Sequence, residues 1–501
     1  QSLVRGGHNF SLIQVGQEKI TYNNQLNYLI ALNQETIEKN QADLKSNGLV
    51  FCDEDLKAEK CIQLPLGQII KEANGQKLSK NIILSVSLLK TLGVEWSSIE
   101  EVLKAEFKKS ESILEVAKMT FEKTKDSDKK IERKDKSKLL LSGNQATALG
   151  ATKAGLKFYS AYPMSPATGI LHYLASEKDL GVKTIQLENE LSVINAALGA
   201  AATGKRAMVA TSGGGFDLMT EALSFASLAE IPLVIVDSQR ASASTGVPTY
   251  TGQADLNIAL AGGHGDLVKL VIAPADGKQA LAWTNKALNL AWIYQVPVIV
   301  LLDKEISEGN YTIATEELEN LKKEEALLWS ESDEYLRYDL KNPVSPLAFY
   351  GQKGAVVKIT SYEHDEKGIA TEDSQVIEKM QEKRLAKANQ IKEEMEEMDL
   401  VNVFGNPEAK TAILTWGSSL EVAQAIAQQK ELKVIQPIVL EPFPQKQIEK
   451  HLKGVEKTII LEASANGQFE KLLHCFGIKT DQIIKKYDGQ PFWPADIEKE
   501  L

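Results

Sequence analysis

Residues 206–239, RAMVATSGGGFDLMTEALSFASLAEIPLVIVDSQ, decide the fold class. Two short apolar runs, 206–211 and 232–236, flank a helical window at 215–229, and the turn Gly213-Gly214-Gly215 joins the first run to that window. Short apolar runs bounded by turn signals read as buried strands, so this stretch is a strand–helix–strand unit. The same alternation continues outward, with strands expected at 157–161, 183–187, 269–273 and 296–302 and helices at 190–203 and 277–293. Strands alternating with helices predict an α/β fold, a parallel sheet with helices on both faces. The functional edge of such a sheet lies at the carboxyl ends of its strands.

The remaining sequence divides into further parts. Residues 1–140 mix an alternating run at 10–15 with helical periodicity from 98 to 117, and the nearly apolar-free stretch 122–138 reads as a solvated linker. The central domain is expected over 141–312. A connector over 313–408 carries two charged stretches expected to be helical, 316–332 and 374–398. From 409 to 501 strands at 411–415, 433–436 and 458–461, with a helix near 420–429, predict a smaller closing α/β domain.

The 501 residues set a prior of about three domains, and 43% hydrophobic with 25% charged residues is a globular composition. The longest apolar runs, such as 296–302, fall well short of the ~18 residues of a membrane span. With 57 Lys and Arg against 68 Asp and Glu, the net charge of −11 disfavours nucleic acid or an anionic membrane as the main partner. Three scattered cysteines, Cys52, Cys61 and Cys475, fit a reducing compartment, the cytoplasm, and cannot ligate a 4Fe-4S cluster, which takes four thiolates. Residue 1 is Gln, and the opening stretch reads as a start inside a domain.

Four successive strand ends carry candidate chemistry. Tyr162-Pro163-Met164-Ser165-Pro166 follows the first strand and offers the Ser165 hydroxyl between two conformationally restricted prolines. Glu190 opens the Ala-rich helix after the second strand and stands nine residues before Gly199. Thr211-Ser212-Gly213 ends the third strand in a turn that exposes backbone N–H groups at a helix start. Arg240 follows the fourth strand in Asp237-Ser238-Gln239-Arg240, suited to a bidentate grip on a carboxylate. Each has a plain alternative, namely a structural serine, a helix-capping acid, an ordinary tight turn and a solvated arginine. Their order along one sheet favours a site.

With these residues in view, the chain resembles the alpha subunit of the 2-oxoacid:ferredoxin oxidoreductases. The resemblance rests on the run 143–150, YPMSP (162–166), ENELSVINAALGAA (188–201), ATSGGG (210–215), DSQRASASTGVPT (237–249) and GGHGD (262–266). It continues through EHDEKG (363–368), Lys383-Arg384, EPFP (441–444), EASANGQ (462–468) and YDGQPF (487–492), nearly the whole chain in order.

The resemblance implies three domains: a gamma-type N-terminal domain matched by Arg5-Gly6-Gly7, a domain binding the aminopyrimidine half of thiamine diphosphate, and a transketolase-type C-terminal domain that packs and positions. It implies that Glu190 bonds the pyrimidine ring nitrogen and promotes removal of the thiazolium proton, and that Thr211, Ser212 and Gly213 line the cofactor. Ser165 stands where the family motif YPITP has Thr, beside Tyr162, and would contact the oxoacid, while Arg240 would hold the oxoacid carboxylate. The Met164 and Ser165 departures leave the choice between 2-oxoglutarate and pyruvate open. His264 in GGHGD is expected to bond its own loop rather than the site.

No GDG occurs in the sequence, so the Mg²⁺ site for the diphosphate is expected on another chain, as is the 4Fe-4S cluster. The implied assembly is a heterodimer, or a dimer of heterodimers, with a beta subunit that supplies both. Its reaction converts a 2-oxoacid and coenzyme A to acyl-CoA and passes electrons to ferredoxin. The alternatives are another thiamine diphosphate enzyme half, transketolase-like or decarboxylase-like, and a non-catalytic scaffold subunit.

Overall fold

The computed structural model describes residues 10–16, 25–76, 79–107, 111–126, 137–330 and 333–501. The chain divides into compact units at Arg5–Lys136 and Ser137–Leu501. The segment Arg5-Gly6-Gly7 and residues 127–136 of the charged stretch lie outside the described residues.

The first unit holds three parallel strands, Leu26–Ile30, Leu44–Asp53 and Cys61–Leu64, paired in that order. Phe51, Ile69, Ile83, Leu84 and Val116 close its core. The alternating run at 10–15 is not a strand. Ile13 is 82% and Val15 91% exposed, and alternation without a neighbouring strand to pair leaves an extended, solvated segment. The periodicity from 98 to 117 belongs to two helices, Trp96–Glu106 and Glu111–Lys123.

The second unit is built on a seven-stranded sheet. Six strands come from its first half: β1 Phe158–Ala161, β2 Lys183–Gln186, β3 Ala207–Thr211, β4 Leu233–Gln239, β5 Leu270–Ile272 and β6 Pro297–Asp303. Their order is β5-β6-β4-β3-β1-β2, all parallel. The order reverses between β1 and β3, the kind of position where open α/β sheets bind ligands. Strands β3, β4 and β6 are buried throughout, as expected of parallel strands covered on both faces. The covering helices include Glu190–Ala202, Gly213–Leu228 and Gly277–Tyr294, close to their expected bounds.

The C-terminal section forms a second sheet in the order Val401–Gly405, Lys433–Pro437, Thr411–Thr415, Lys457–Glu462, Gln482–Lys485, with the first strand antiparallel. It also returns a strand to the main sheet: Val439–Glu441 pairs antiparallel with β5. Sequence reading gave no strand there, because three residues beside Pro437 and Pro442 carry no periodicity. One apolar cluster joins Val193, Phe216, Leu256 and Leu301 of the first half to Trp416, Ile435 and Phe469 of the C-terminal section.

The connector departs from expectation. Among the described residues of the stretch 316–332, only those within Thr315–Glu319 are helical. Its backbone is bonded instead by buried side chains of the main sheet's layer. Asn289 Nδ2 donates to Lys322 O at 2.9 Å and its Oδ1 accepts from Glu324 N at 3.0 Å, while Arg206 donates to Glu324 O. Side chains that satisfy backbone polar groups remove the advantage of a helix. Helix Ser374–Glu396 forms as expected, capped by Asp373.

Candidate active site

Glu190 enters the site because another residue caps its helix. Asn189 accepts from Ser192 N at 2.9 Å, and Glu188 is bonded by the Ser192 hydroxyl, so neither role falls to Glu190. Its side chain is 4% exposed, and Oε1 has no hydrogen-bond partner among the described residues. A buried carboxylate oxygen without a donor is costly, and such groups concentrate where a ligand supplies the missing bond.

Two further elements flank that oxygen. Thr211 ends β3, fully buried, and Gly215 lies in the first turn of the Gly213–Leu228 helix. A Cβ on Gly215 would lie 2.6 Å from Glu190 Oε1 and would collide with Thr211 Oγ1. The glycine therefore leaves room for the carboxylate, whereas the sequence had suggested only a turn that exposes backbone N–H groups. Gly215→Ala is expected to push Glu190 aside and, under the role the resemblance implies for Glu190, to lower turnover about 10- to 100-fold, since small misplacements of a catalytic group carry costs of that order. Unchanged turnover, measured with full cofactor loading, would show that Glu190 tolerates the displacement.

Gly213 is kept bare by a different neighbour. Its Cβ position would meet the Asp255 carboxylate at 2.5 Å. Ser212, the residue before this helix, is fully buried with Oγ unpartnered among the described residues. Thr211, Ser212 and Gly213 thus gather at the end of β3 as expected. Gly199, by contrast, faces open space.

The turn after β1 is fastened from two sides. Asn144 Nδ2 donates to Pro166 O at 3.0 Å. Arg240 Nη1 donates to Ser165 O at 3.0 Å and approaches the Met164 sulfur at 3.3 Å. Arg240 is 7% exposed and its Nε is unpartnered among the described residues, so one edge of the guanidinium is committed to the turn and another remains. Burial lowers its pKa while Asp255 opposes that shift. Ser165 and Arg240 are brought together, whereas Tyr162 is exposed. His264 is exposed, and its backbone amide bonds Ser224 Oγ on the Gly213–Leu228 helix rather than its own loop.

The loop after Arg240 is held by the C-terminal section. Gln253 Nε2 donates to Trp416 O at 2.8 Å, and its Oε1 accepts from Ala463 N at 2.8 Å and Ser419 Oγ at 3.1 Å. Gln468 bonds both Ala254 O and Asn257 N, and Thr251 N donates to Gly489 O at 3.0 Å. The EASANGQ and YDGQPF motifs are thereby clasps on the Arg240 loop. Sequence reasoning missed Asp237 and Asp255 as members of the site. Asp237 was visible in the DSQR run, but nothing near Asp255 in sequence points to the glycine it covers.

A parallel sheet with an orphaned acid at a helix start, a Gly-rich turn and an arginine at adjacent strand ends defines a cofactor-dependent enzyme domain. Residues 149–383 match the family model described as pyruvate flavodoxin/ferredoxin oxidoreductase, thiamine diphosphate-binding, and residues 1–126 match that of pyruvate ferredoxin/flavodoxin oxidoreductase. The chain is 33% identical over 482 residues to 2-oxoacid:ferredoxin oxidoreductase 2, subunit alpha, of Aeropyrum pernix, covering 87% of this chain and 75% of that protein. It is 31% identical to the 2-oxoglutarate synthase subunit KorA of Methanocaldococcus jannaschii, covering 72% of this chain and 98% of the relative. A solved 2-oxoglutarate:ferredoxin oxidoreductase from Magnetococcus marinus, with 2-oxoglutarate, coenzyme A and succinyl-CoA bound, superposes with a TM-score of 0.86 at 30% identity, covering 95% of this chain and 88% of that one. The chain belongs to the 2-oxoacid:ferredoxin oxidoreductase family, as an alpha subunit. Among the described residues, no helix is long and apolar enough to cross a membrane.

Proposed function

We propose that this chain activates thiamine diphosphate through Glu190 and orients a 2-oxoacid, 2-oxoglutarate or pyruvate, through Ser165 and Arg240. The overall reaction turns the oxoacid anion and coenzyme A into acyl-CoA, carbon dioxide, a proton and two electrons for ferredoxin. A beta subunit is assigned the Mg²⁺-diphosphate site and the 4Fe-4S cluster, in keeping with three cysteines and no GDG in this sequence. The observation that carries the reading is the buried, unpartnered Glu190 Oε1.

The residues present fit the cofactor. Thiamine diphosphate, when bound, supplies the carbon nucleophile and the electron sink for decarboxylation. Glu190 offers its ring an anionic acceptor in a dry setting, where a hydrogen bond to charge is strongest. Thr211 and Gly215 fix that acceptor in place. Arg240, already anchored on Ser165 O, presents its remaining N–H groups to the oxoacid carboxylate, and Ser165 and Tyr162 stand beside it.

The test is the complex purified with its beta subunit, assayed for coenzyme A-dependent reduction of a low-potential acceptor across pyruvate, 2-oxoglutarate and branched oxoacids. Turnover of one or more is expected; none with any 2-oxoacid defeats the reading. Within that assay Arg240→Ala is expected to raise the apparent KM by about one to two orders of magnitude, the worth of a charged hydrogen bond. An unchanged KM assigns the carboxylate to another group.

A further inference from the structure

The run 143–150, one of the motifs that carry the family resemblance, has no task in the reading above. It opens the helix Gly143–Lys153, which is capped by its neighbours: the Ser142 hydroxyl accepts from Gln145 N at 3.2 Å, and Gln145 Oε1 accepts from Ser142 N at 2.8 Å. With the cap supplied by that pair, the side-chain amide of Asn144 is free for another purpose. Two glycines let the helix lie close against its surroundings. A Cβ on Gly143 would collide with the carbonyl of Ile306, just beyond β6, and one on Gly150 with the carbonyl of Leu281 in the Gly277–Tyr294 helix. Gly143 N also donates to Gly309 O at 3.0 Å. The helix is a closely seated platform, and Asn144, 3% exposed, stands in its first turn.

Three successive carbonyls of the turn after β1 each receive a donor. Met164 O accepts from Thr168 N, Ser165 O from Arg240 Nη1 and Pro166 O from Asn144 Nδ2, all at 3.0 Å. The last two donors come from distant segments, and one of them, Arg240, also serves as the carboxylate clamp. Asn144 has no second duty of that kind, since its Oδ1 has no partner among the described residues. Room for its amide is made by Gly169, in the first turn of the Thr168–Ser176 helix. A Cβ there would lie 2.5 Å from Asn144 Nδ2 and 3.0 Å from its Cβ.

We propose that Asn144 is a positioning residue for oxoacid binding: admitted by the bare Gly169, it holds the Ser165 turn against the Gly143–Lys153 helix while Arg240 engages the oxoacid carboxylate. The inference rests on Ser165 and Arg240 as the oxoacid site. A bond from a guanidinium to a carboxylate is stronger than one to a peptide carbonyl, so an arriving oxoacid competes with Ser165 O for Arg240. A turn tethered by Arg240 alone would loosen at that moment, and reordering it would weaken binding. The Asn144 bond is independent of the substrate and keeps Ser165 in place. Glu190 lies on a different helix, so activation of the cofactor does not pass through Asn144, and the loss belongs in KM rather than in kcat.

The experiment uses the complex assembled with its beta subunit and compares wild type with Asn144→Ala, Gly169→Ala, the double variant and Arg240→Ala. It reads KM and kcat for the oxoacid, and amide hydrogen exchange of the peptide 162–170 without substrate. Asn144→Ala is expected to raise KM about three- to tenfold, the worth of one neutral hydrogen bond, with kcat within about twofold of wild type and faster exchange in that peptide. Gly169→Ala should raise KM as well, because its methyl displaces the amide, yet add nothing in the Asn144→Ala background. An unchanged KM in Asn144→Ala beside a raised one in Arg240→Ala overturns the proposal. So does a fall in kcat at constant KM, or independent, additive effects of the two substitutions. Should Asn144→Ala not assemble, Asn144→Asp, which keeps the shape and loses the donor, must show the same rise in KM, and an unchanged value there overturns the proposal as well. If Arg240→Ala leaves KM unchanged, or no 2-oxoacid is turned over, it is the proposed function that fails. The exchange rate then still decides the anchoring, and wild-type exchange in Asn144→Ala refutes it.

Discussion

Glu190→Gln is expected to lower turnover of the assembled enzyme by about 10² to 10⁴, the usual contribution of a placed acid–base group, while leaving the fold intact. The two halves of that expectation have one cause. Glu190 Oε1 is buried with no donor among the described residues, a cost to the protein that the proposed role turns into a strong acceptor for the cofactor ring. Glutamine has nearly the same shape, and its neutral amide removes the charge. Thermal unfolding of the variant should therefore occur at the wild-type temperature or above it. Loss of activity with a raised or unchanged melting temperature is the signature of a functional acid, whereas a structural acid loses stability along with activity. Turnover above one tenth of wild type, in a complex loaded with cofactor, removes Glu190 from its assigned role.

The second large effect concerns stability. Glu230 follows the Gly213–Leu228 helix by two residues, is 2% exposed, and is bonded by Lys383 at 2.7 and 3.0 Å and by Lys387. Arg337 donates to its backbone carbonyl at 2.6 Å and Tyr338 to the carbonyl of Ala229 at 3.3 Å. Glu230→Ala strands two buried ammonium groups, and removing one partner of a buried pair costs about 3–5 kcal/mol. The midpoint of chemical denaturation should fall accordingly. The backbone at Glu230, φ 53°, suits glycine better than any other residue, so Glu230→Gly separates the two contributions. If Glu230→Gly restores the wild-type midpoint, the carboxylate is not what holds this corner together.

The same cluster gives a pH dependence. Burial alone would raise the Glu230 carboxyl, but Lys387, Lys383 and Arg337 outweigh it and hold it below the ordinary value of 4.5. A depressed carboxylate contributes stability that is complete above its unfolded value and is lost as pH falls through its folded one. Acid destabilisation should accordingly set in below pH 4.5 and weaken in Glu230→Gln, as followed by denaturation at a series of pH values.

Much of the site was legible before the structure because it is local. Ser165, Glu190, Thr211 and Arg240 each stand within four residues of a strand end, and short apolar runs locate strand ends directly. The connector was less legible. Its charged composition reads as helix at 316–332, yet Asn289 and Arg206 bind its backbone from far away in sequence. Asp255 escaped for a similar reason, since its partners Gly213 and Arg240 lie on other segments.

By itself, the sequence determined the strand–helix alternation and the order of candidate groups along successive strands. Periodicity and composition carry that information because they express which face of each element is buried. Only the tertiary structure decided that Glu190 Oε1 lacks a donor among the described residues, that Gly215 and Gly213 are bare to make room for carboxylates, and that Glu230 binds two lysines over 150 positions away. Those facts depend on what packs against what across distant segments, and the cost or gain of a buried charge is fixed by its neighbours in space.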